Sequence, residues 1–322
     1  MTTDTAIQTQ DFMIQSDTPA IELHIRNKRA AGKSGFGEAR TVLLMHGATY
    51  GSGSLYDTAI GGYSFMDYLA CAGFDVYAVD ARGYGESTRP QQMNLPSSQS
   101  EPIGRTESGI RDFTTAVNFV LRTSGIARLN VIGMSWGGSV TGAFTARNGH
   151  KVRKLGLVAP QWISDRPIPL DAGGSLGGYR VVRAADARER WVGAAPEWKR
   201  DTLIPEGGFT AWLNNTLRSE PDDELRKNQS IRAVNGPVQD IREFWAAGKP
   251  FYDPGQIEVP VLLIHGEWDI DVPLALMQDY FVHLTGSPNK RWLELGEATH
   301  MLMLEKNRVQ AYDALAGFLS EV

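Results

Sequence analysis

The sequence predicts an α/β protein: a mostly parallel, twisted, eight-stranded sheet with helices on both faces and a helical cap inserted into it. Three observations carry that prediction. Short β-rich runs alternate with helical patterns along most of the chain, the arrangement that builds a parallel sheet covered on both sides. Several runs are apolar on successive residues, as strands buried on both faces are. The rhythm then breaks between Ala159 and Val259, a stretch too long for a structureless loop in a compact domain and therefore read as an insertion with structure of its own.

The elements follow in order. "DFMIQ" and "IELHIRN" form a leading pair of strands around the turn at Asp17-Thr18-Pro19. Six more strands are expected at "TVLLMH" (41–46), "FDVYAVD" (74–80), "LNVIGM" (129–134), "RKLGLVA" (153–159), "VPVLLIH" (259–265) and "KRWLEL" (290–295). Helical patterns occupy 63–72, 105–123, 136–147, 274–284 and 305–320. The insertion holds helix-like stretches near 179–192, 208–218, 222–234 and 239–247. The organisation is thus a core of residues 1–160 and 257–322 with a helical cap at 161–256. Five of the eight tryptophans fall in the insertion (Trp162, Trp191, Trp198, Trp212, Trp245). Most are expected in the cap's own core, with Trp212 and Trp245 taken as candidates to face a substrate and exclude water.

Composition narrows the class. Hydrophobic content of 42% with 21% charged residues suits a globular chain that buries a large core. A net charge of −5 argues against a nucleic-acid or anionic-membrane partner. Cys71 is the only cysteine, which excludes an intrachain disulfide and a cysteine-rich metal site. The start "MTTDTAIQTQDFMIQSD" lacks a basic segment followed by an apolar core, and no apolar run reaches the ~20 residues of a membrane span. The expectation is a cytoplasmic protein; oligomeric state stays open.

Two segments match G-x-S-x-G: Gly133-Met134-Ser135-Trp136-Gly137 and Gly173-Gly174-Ser175-Leu176-Gly177. Only the first lies between a buried strand and a helical run, the strand–turn–helix context that lifts a serine above a sheet edge. Ser175 sits in "PIPLDAGGSLGGY", a flexible loop. A serine hydroxyl needs a base to take its proton and an acid to orient that base. "VPVLLIHGEWDIDVP" offers Asp269 and Asp271 after one late strand, and "LELGEATHMLMLEKN" offers His300 after the last. His24, His150 and His283 fall in exposed or helical positions, while His46 and His265 read as structural. Two backbone N–H groups are needed for an oxyanion: Trp136, directly after the serine, and Ala48, in the Gly-rich loop "MHGATYGSGS". That loop does not read as a phosphate cradle, because no G-x-x-x-x-G-K-[ST] is present.

"LLMHG", "VDARGYGEST", "GMSWGG", "LLIHGEWDIDVP" and "ATHMLMLEKN" resemble successive signature segments of the α/β-hydrolase superfamily across nearly the whole chain. The resemblance implies a Ser135–Asp269–His300 triad, since Gly266, Asp269 and Pro273 match the family's G-x-x-D-x-x-x-P pattern and favour Asp269 over Asp271. It implies a structural role for Asp80, and no metal or organic cofactor. Ser135 separates the chain from epoxide hydrolases and haloalkane dehalogenases, which use an aspartate nucleophile. "HGATYG" departs from the H-G-G-P-G of proline iminopeptidases, and Thr49 from the proline of perhydrolases. Met301 departs from the aromatic residue that often follows the histidine in carbon–carbon bond hydrolases of ring-fission products. What remains is hydrolysis of a small-molecule carboxylic ester, with lactone, thioester or carbon–carbon bond cleavage as alternatives. The layout is also similar to monoalkyl phthalate ester hydrolases, whose substrates carry a free carboxylate. Arg180, Arg183, Arg188 and Arg190 are candidates to meet such a group, although a solvated helix face paired with Asp186 and Glu189 is the preferred reading. A non-catalytic ligand receptor on the same fold is the remaining alternative, disfavoured because a receptor has no need of His300.

Overall fold

A computed structural model describes residues 6–321 of the chain. Residues 1–5, part of the segment read for a leader, lie outside the described residues. Ten strands form: β1 Ile7–Gln15, β2 Glu22–Ala30, β3 Thr41–Met45, β4 Asp75–Val79, β5 Leu129–Met134, β6 Val152–Val158, β7 Tyr179–Arg183, β8 Ser230–Val234, β9 Val261–Gly266 and β10 Lys290–Leu295. Eight of them make one sheet in the order β1-β2-β4-β3-β5-β6-β9-β10. β2 runs antiparallel to β1 and β4, and every other neighbouring pair is parallel.

Strand periodicity divides the core into two layers. Leu43 and Met45 of β3 point to one face, where the helices Thr106–Ser124, Trp136–Asn148 and Leu274–His283 pack; Val42 and Leu44 point to the other, under Phe65–Cys71 and Arg308–Ser320. Because both faces are covered, β3, β4, β5 and β9 are buried along their whole length. This is why their sequences are unbroken apolar runs. Local chemistry sets the helix ends. Ser64 Oγ accepts the Asp67 N–H at 3.1 Å while Asp67 Oδ2 accepts the Ser64 N–H at 2.9 Å, closing a capping box. Gly125 ends the helix Thr106–Ser124 in the left-handed conformation, φ 64°. Among the described residues no helix is long and apolar enough to cross a membrane.

The insertion departs from expectation in one respect. The stretches 179–192 and 222–234, read as helical, each contain a strand: β7 and β8 pair antiparallel, Tyr179 opposite Val234 through Arg183 opposite Ser230. Each strand is five residues long and its partner lies about fifty residues away, so no local pattern announces the pairing; tertiary context overrides helix propensity here. Among the insertion's helices, Ala184–Gly193 and Gly208–Arg218 contribute to a small core of Trp191, Val192, Ala195, Leu203 and Trp212, closed by Ile60 and Leu304.

The parallel strands carry their following loops to one edge of the sheet, where a crevice forms beyond the carboxyl ends. The crossing of β5 with the helix Trp136–Asn148 is closest there. A Cβ on Gly133 would lie 2.3 Å from the Gly137 carbonyl oxygen and 2.3 Å from Thr141 Oγ1, and one on Gly137 would lie 2.2 Å from the His46 oxygen. Backbone on both sides leaves nothing that can yield. Gly133→Ala is therefore expected to destabilise the fold by about 3 kcal/mol or more, whereas Gly317→Ala, where an added Cβ meets nothing within 4 Å, should be neutral or mildly stabilising. Chemical denaturation of the two variants beside the parent checks this.

Candidate active site

β5 ends in a forced turn. Ser135 adopts φ 56° and ψ −123° between the strand and the helix that begins at Trp136. A non-glycine residue held there stores of order 1–3 kcal/mol of backbone strain. The strain is held by the Ser135 N–H donating to the Val158 oxygen at 2.8 Å, and by the Ser135 carbonyl accepting the Gly138 N–H at 2.9 Å. The hydroxyl is thereby set at the floor of a cavity that His300, Asp271 and Gly47 also line.

His300 enters from the loop after β10, and Asp269 from the turn after β9. Asp269 Oδ2 accepts the His300 Nδ1–H at 2.8 Å. Its Oδ1 accepts the backbone N–H groups of Asp271 and Val272, each at 2.9 Å, so the carboxylate cannot rotate away. Burial disfavours the imidazolium, but the charges of Asp269 and then Asp271 outweigh it, and the His300 pKa stands above its ordinary value; Arg190 opposes them weakly. Ser135 Oγ and His300 share the cavity without a hydrogen bond between them among the described residues, and such contacts commonly tighten only when substrate is bound. Asp269, Asp271 and His300 place one ligand atom each within 4.8 Å of one another. Both Asp269 oxygens are already engaged and Asp271 pairs with Arg190, so the donor set reads as an oriented base rather than a metal centre.

Opposite the serine, a Cβ on Gly47 would come 3.4 Å from Ser135 Cβ and 3.9 Å from its Oγ, which shows how closely the loop after β3 approaches. Ala48 follows, and its N–H has no acceptor among the described residues. The Trp136 N–H opens a helix and is one of the donors that helical bonding leaves free. The Trp136 indole turns inward, donating to Thr106 Oγ1 at 2.9 Å and stacking on Tyr84. The structure thus brings together Ser135, Asp269, His300, Ala48 and Trp136.

The expected cap contacts need correction. Trp245 lies wholly within the main core, against Phe251, and Trp212 stands one layer behind the cavity wall, edge-on to Tyr50 at 4.9 Å and to Trp191 at 5.6 Å. The tryptophan that lines the cavity is Trp191. The arginines divide as well. Arg183 pairs with Asp186 on the surface and Arg188 lies over Phe209, but Arg190 lines the cavity and pairs with Asp271, and Arg180 points inward from β7. His24, expected exposed, is buried between Asp80 and Asp11 at 3.1 and 3.0 Å. Asp80 also accepts the Ser52 N–H at 2.7 Å, a structural role. Asp165 is exposed beside Arg166, and Ser175 is exposed in its loop.

Three further groups had no sequence signal. Tyr50 lines the cavity, and burial pushes its phenol up to about 12. Gln161 lines it with a buried Oε1 that no described residue satisfies. Glu305, fully buried, accepts the Trp191 indole N–H at 2.8 Å and the Thr299 N–H at 2.8 Å. Burial raises the Glu305 carboxyl to about 7. It ties the cap to the residue preceding His300.

No curated protein sequence matches the chain. Solved structures do. The fold is similar to that of a serine hydrolase from the polyaromatic hydrocarbon-degrading bacterium Cycloclasticus zankles, with TM-score 0.63 and 15% identity, covering 98% of this chain and 100% of that one. It is similar to 2-hydroxy-6-oxo-6-phenylhexa-2,4-dienoate hydrolase from Rhodococcus sp. strain RHA1, with TM-score 0.61, 17% identity and 98% of each chain covered. A thermophilic esterase from Thermogutta terrifontis is similar at TM-score 0.55 and 19% identity, over 96% of this chain and 98% of that one. At such identities the likeness carries the fold alone. The sequence model of the alpha/beta hydrolase fold matches residues 40–307, and the chain belongs to that family.

Proposed function

We propose that the protein is a serine hydrolase that cleaves a carboxylic ester of a small to medium apolar or aromatic molecule through an acyl-enzyme. One observation carries the reading: an Asp269–His300 pair at 2.8 Å opens onto the same cavity as a serine held at φ 56°. Ser135 Oγ attacks the ester carbonyl as His300 Nε2 takes its proton. Asp269 holds the Nδ1–H tautomer and stabilises the imidazolium that forms. The Ala48 and Trp136 N–H groups receive the oxyanion. His300 then protonates the leaving alcohol, and a water deprotonated by the same imidazole releases the acid.

The cavity favours compact substrates. It is bounded on one side by the Ser135 turn and on the other by Ala187, Arg190, Trp191 and Ala194 of the insertion. Leu55, Met134, Leu170, Trp191, Ile270 and Met301 give it a mainly apolar wall. Exclusion of water by such a wall strengthens the oxyanion donors.

Ser135→Ala and His300→Ala should each lower kcat by roughly 10⁴- to 10⁶-fold on p-nitrophenyl esters, because the members act as a unit. Ser175→Ala should leave turnover unchanged. Loss of activity in folded Ser175→Ala alone would move the nucleophile.

The acid limb of the pH profile gives a second test. Because His300 is the base and its pKa is raised, kcat/KM should climb with pH through a value above the usual 6.5. Asp271→Asn removes a charge that raises this pKa and frees Arg190, which lowers it, so the limb moves to lower pH with turnover largely kept. Arg190→Gln moves it higher. Asp269→Asn should cripple catalysis at every neutral pH. The reverse ranking of the two aspartates would make Asp271 the triad acid.

Activity across esters of graded chain length should peak at short to medium acyl groups, without interfacial activation. Leu170→Ala, on the cavity wall, should shift the optimum to longer chains, and Trp245→Phe, in the core, should not. A flat profile to long chains overturns the compact-substrate reading. Failure of all esters with cleavage of a vinylogous diketone would assign carbon–carbon bond hydrolysis instead.

A further inference from the structure

Arg180 is a half-buried cation without a carboxylate partner among the described residues. It leaves β7, on the cap, and reaches inward rather than to solvent. Its Nη1 donates to the Val234 oxygen at 2.8 Å and to Asn235 Oδ1 at 3.3 Å, and its Nη2 donates to the Ala48 oxygen at 3.2 Å and to Thr49 Oγ1 at 2.8 Å. All four acceptors are neutral. The groups that act on its charge are the Tyr84 and Tyr50 phenols and the Arg190 guanidinium, and burial holds its pKa below the ordinary arginine value. Arginine nevertheless stays protonated in proteins. A charge drawn partly out of water with only neutral partners is costly, and such costs gather at functional sites.

Half of this fork grips the loop that carries the Ala48 N–H. The Ala48 carbonyl accepts from two sides, Arg180 Nη2 at 3.2 Å and the Tyr84 hydroxyl at 2.9 Å. Thr49 and Tyr50, the next two residues, line the cavity. The other half of the fork is fixed to the end of β8, so the oxyanion loop is bolted to the two-stranded piece of the cap. Arg180 itself is not on the cavity wall and acts through Ala48 and Thr49.

We propose that Arg180 is a positioning residue for the oxyanion hole: by gripping the Ala48 carbonyl and the Thr49 hydroxyl it fixes the backbone on the far side of Ala48, holding in place the residue whose N–H, in the preceding Gly47–Ala48 peptide, faces the serine, and its unneutralised charge favours the negative oxygen formed at Ser135. The inference rests on the serine-hydrolase reading above. It makes the correct seating of the cap, and not the sheet alone, a condition for chemistry. A hydrogen bond aimed at a charge that exists only after attack raises kcat and leaves ground-state binding nearly untouched.

The test uses the full chain and a fluorophosphonate ester, which forms a covalent adduct with an activated serine and puts its phosphoryl oxygen in the oxyanion hole. Arg180→Met should slow labelling by about 10- to 100-fold, less than the 10²–10³ of deleting a donor outright. Arg180→Lys, which keeps the charge but not the fork, should recover part of that loss. Thr49→Val, which removes one acceptor and keeps the cation, should cost about 3- to 10-fold by the same reasoning. On a p-nitrophenyl ester the losses should fall in kcat with KM changed less than about 3-fold. The exposed Arg183→Gln on the same strand should match the parent. Equal labelling rates in the parent and Arg180→Met overturn the proposal, as does a loss in Arg180→Met that appears in KM and not in kcat. If Arg180→Met fails to fold, Arg180→Lys and Thr49→Val decide alone: parental rates in both overturn it. A parent protein that the reagent does not label at Ser135 sinks the serine-hydrolase reading itself, an outcome distinct from labelling that is insensitive to Arg180.

Discussion

The turn at Ser135 is the constraint on which the rest depends. A serine with positive φ at the end of a buried strand is held only because the following helix crosses β5 and the end of β3 at backbone contact. That crossing requires glycine at 133 and 137, where a Cβ would sit 2.2–2.3 Å from backbone oxygens. The same closeness brings Gly47 against the serine and sets Ala48 beside the start of the helix. The strained Ser135 and the N–H groups of Ala48 and Trp136 are therefore products of one packing event. Loosening the crossing would relax the serine and separate the donors together.

Charge at the site is arranged in pairs of unequal purpose. Asp269 is immobilised by two backbone N–H groups and faces His300, so its field acts on the imidazole continuously. Asp271 adds to that field, and Arg190 tempers it by pairing with Asp271. The His300 imidazole is thus tuned by a residue of the sheet region and a residue of the insertion acting against each other. Arg180 is the charge left over, set beside the loop where a negative oxygen would form.

The cap does more than cover the crevice. Trp191 forms part of the cavity wall and donates its indole N–H to Glu305, which also holds the Thr299 peptide next to His300. Arg180 makes the corresponding link to the loop of Ala48 and Thr49. The insertion and the loops that carry His300 and Ala48 therefore share hydrogen bonds at two points, and breaking either costs a polar group its partner.

By itself the sequence determined all eight strands of the main sheet, the helices on its two faces, and the group of Ser135, Asp269, His300, Ala48 and Trp136 that the structure brings together. Those features are written locally: apolar runs of strand length, glycines around a serine, an aspartate and a histidine just past two strand ends. The cap could not be read the same way. β7 and β8 are five residues each and gain their structure only by meeting one another, so their sequences pass for helix. Trp212 and Trp245 are as aromatic as Trp191, and only the packing decides which ring reaches the cavity. Arg180, Arg183, Arg188 and Arg190 lie within eleven residues and form one charged run in sequence. Tertiary structure sends two outward and two inward, because a side chain's role depends on what the rest of the chain places in front of it, and that information is not carried by neighbours in sequence.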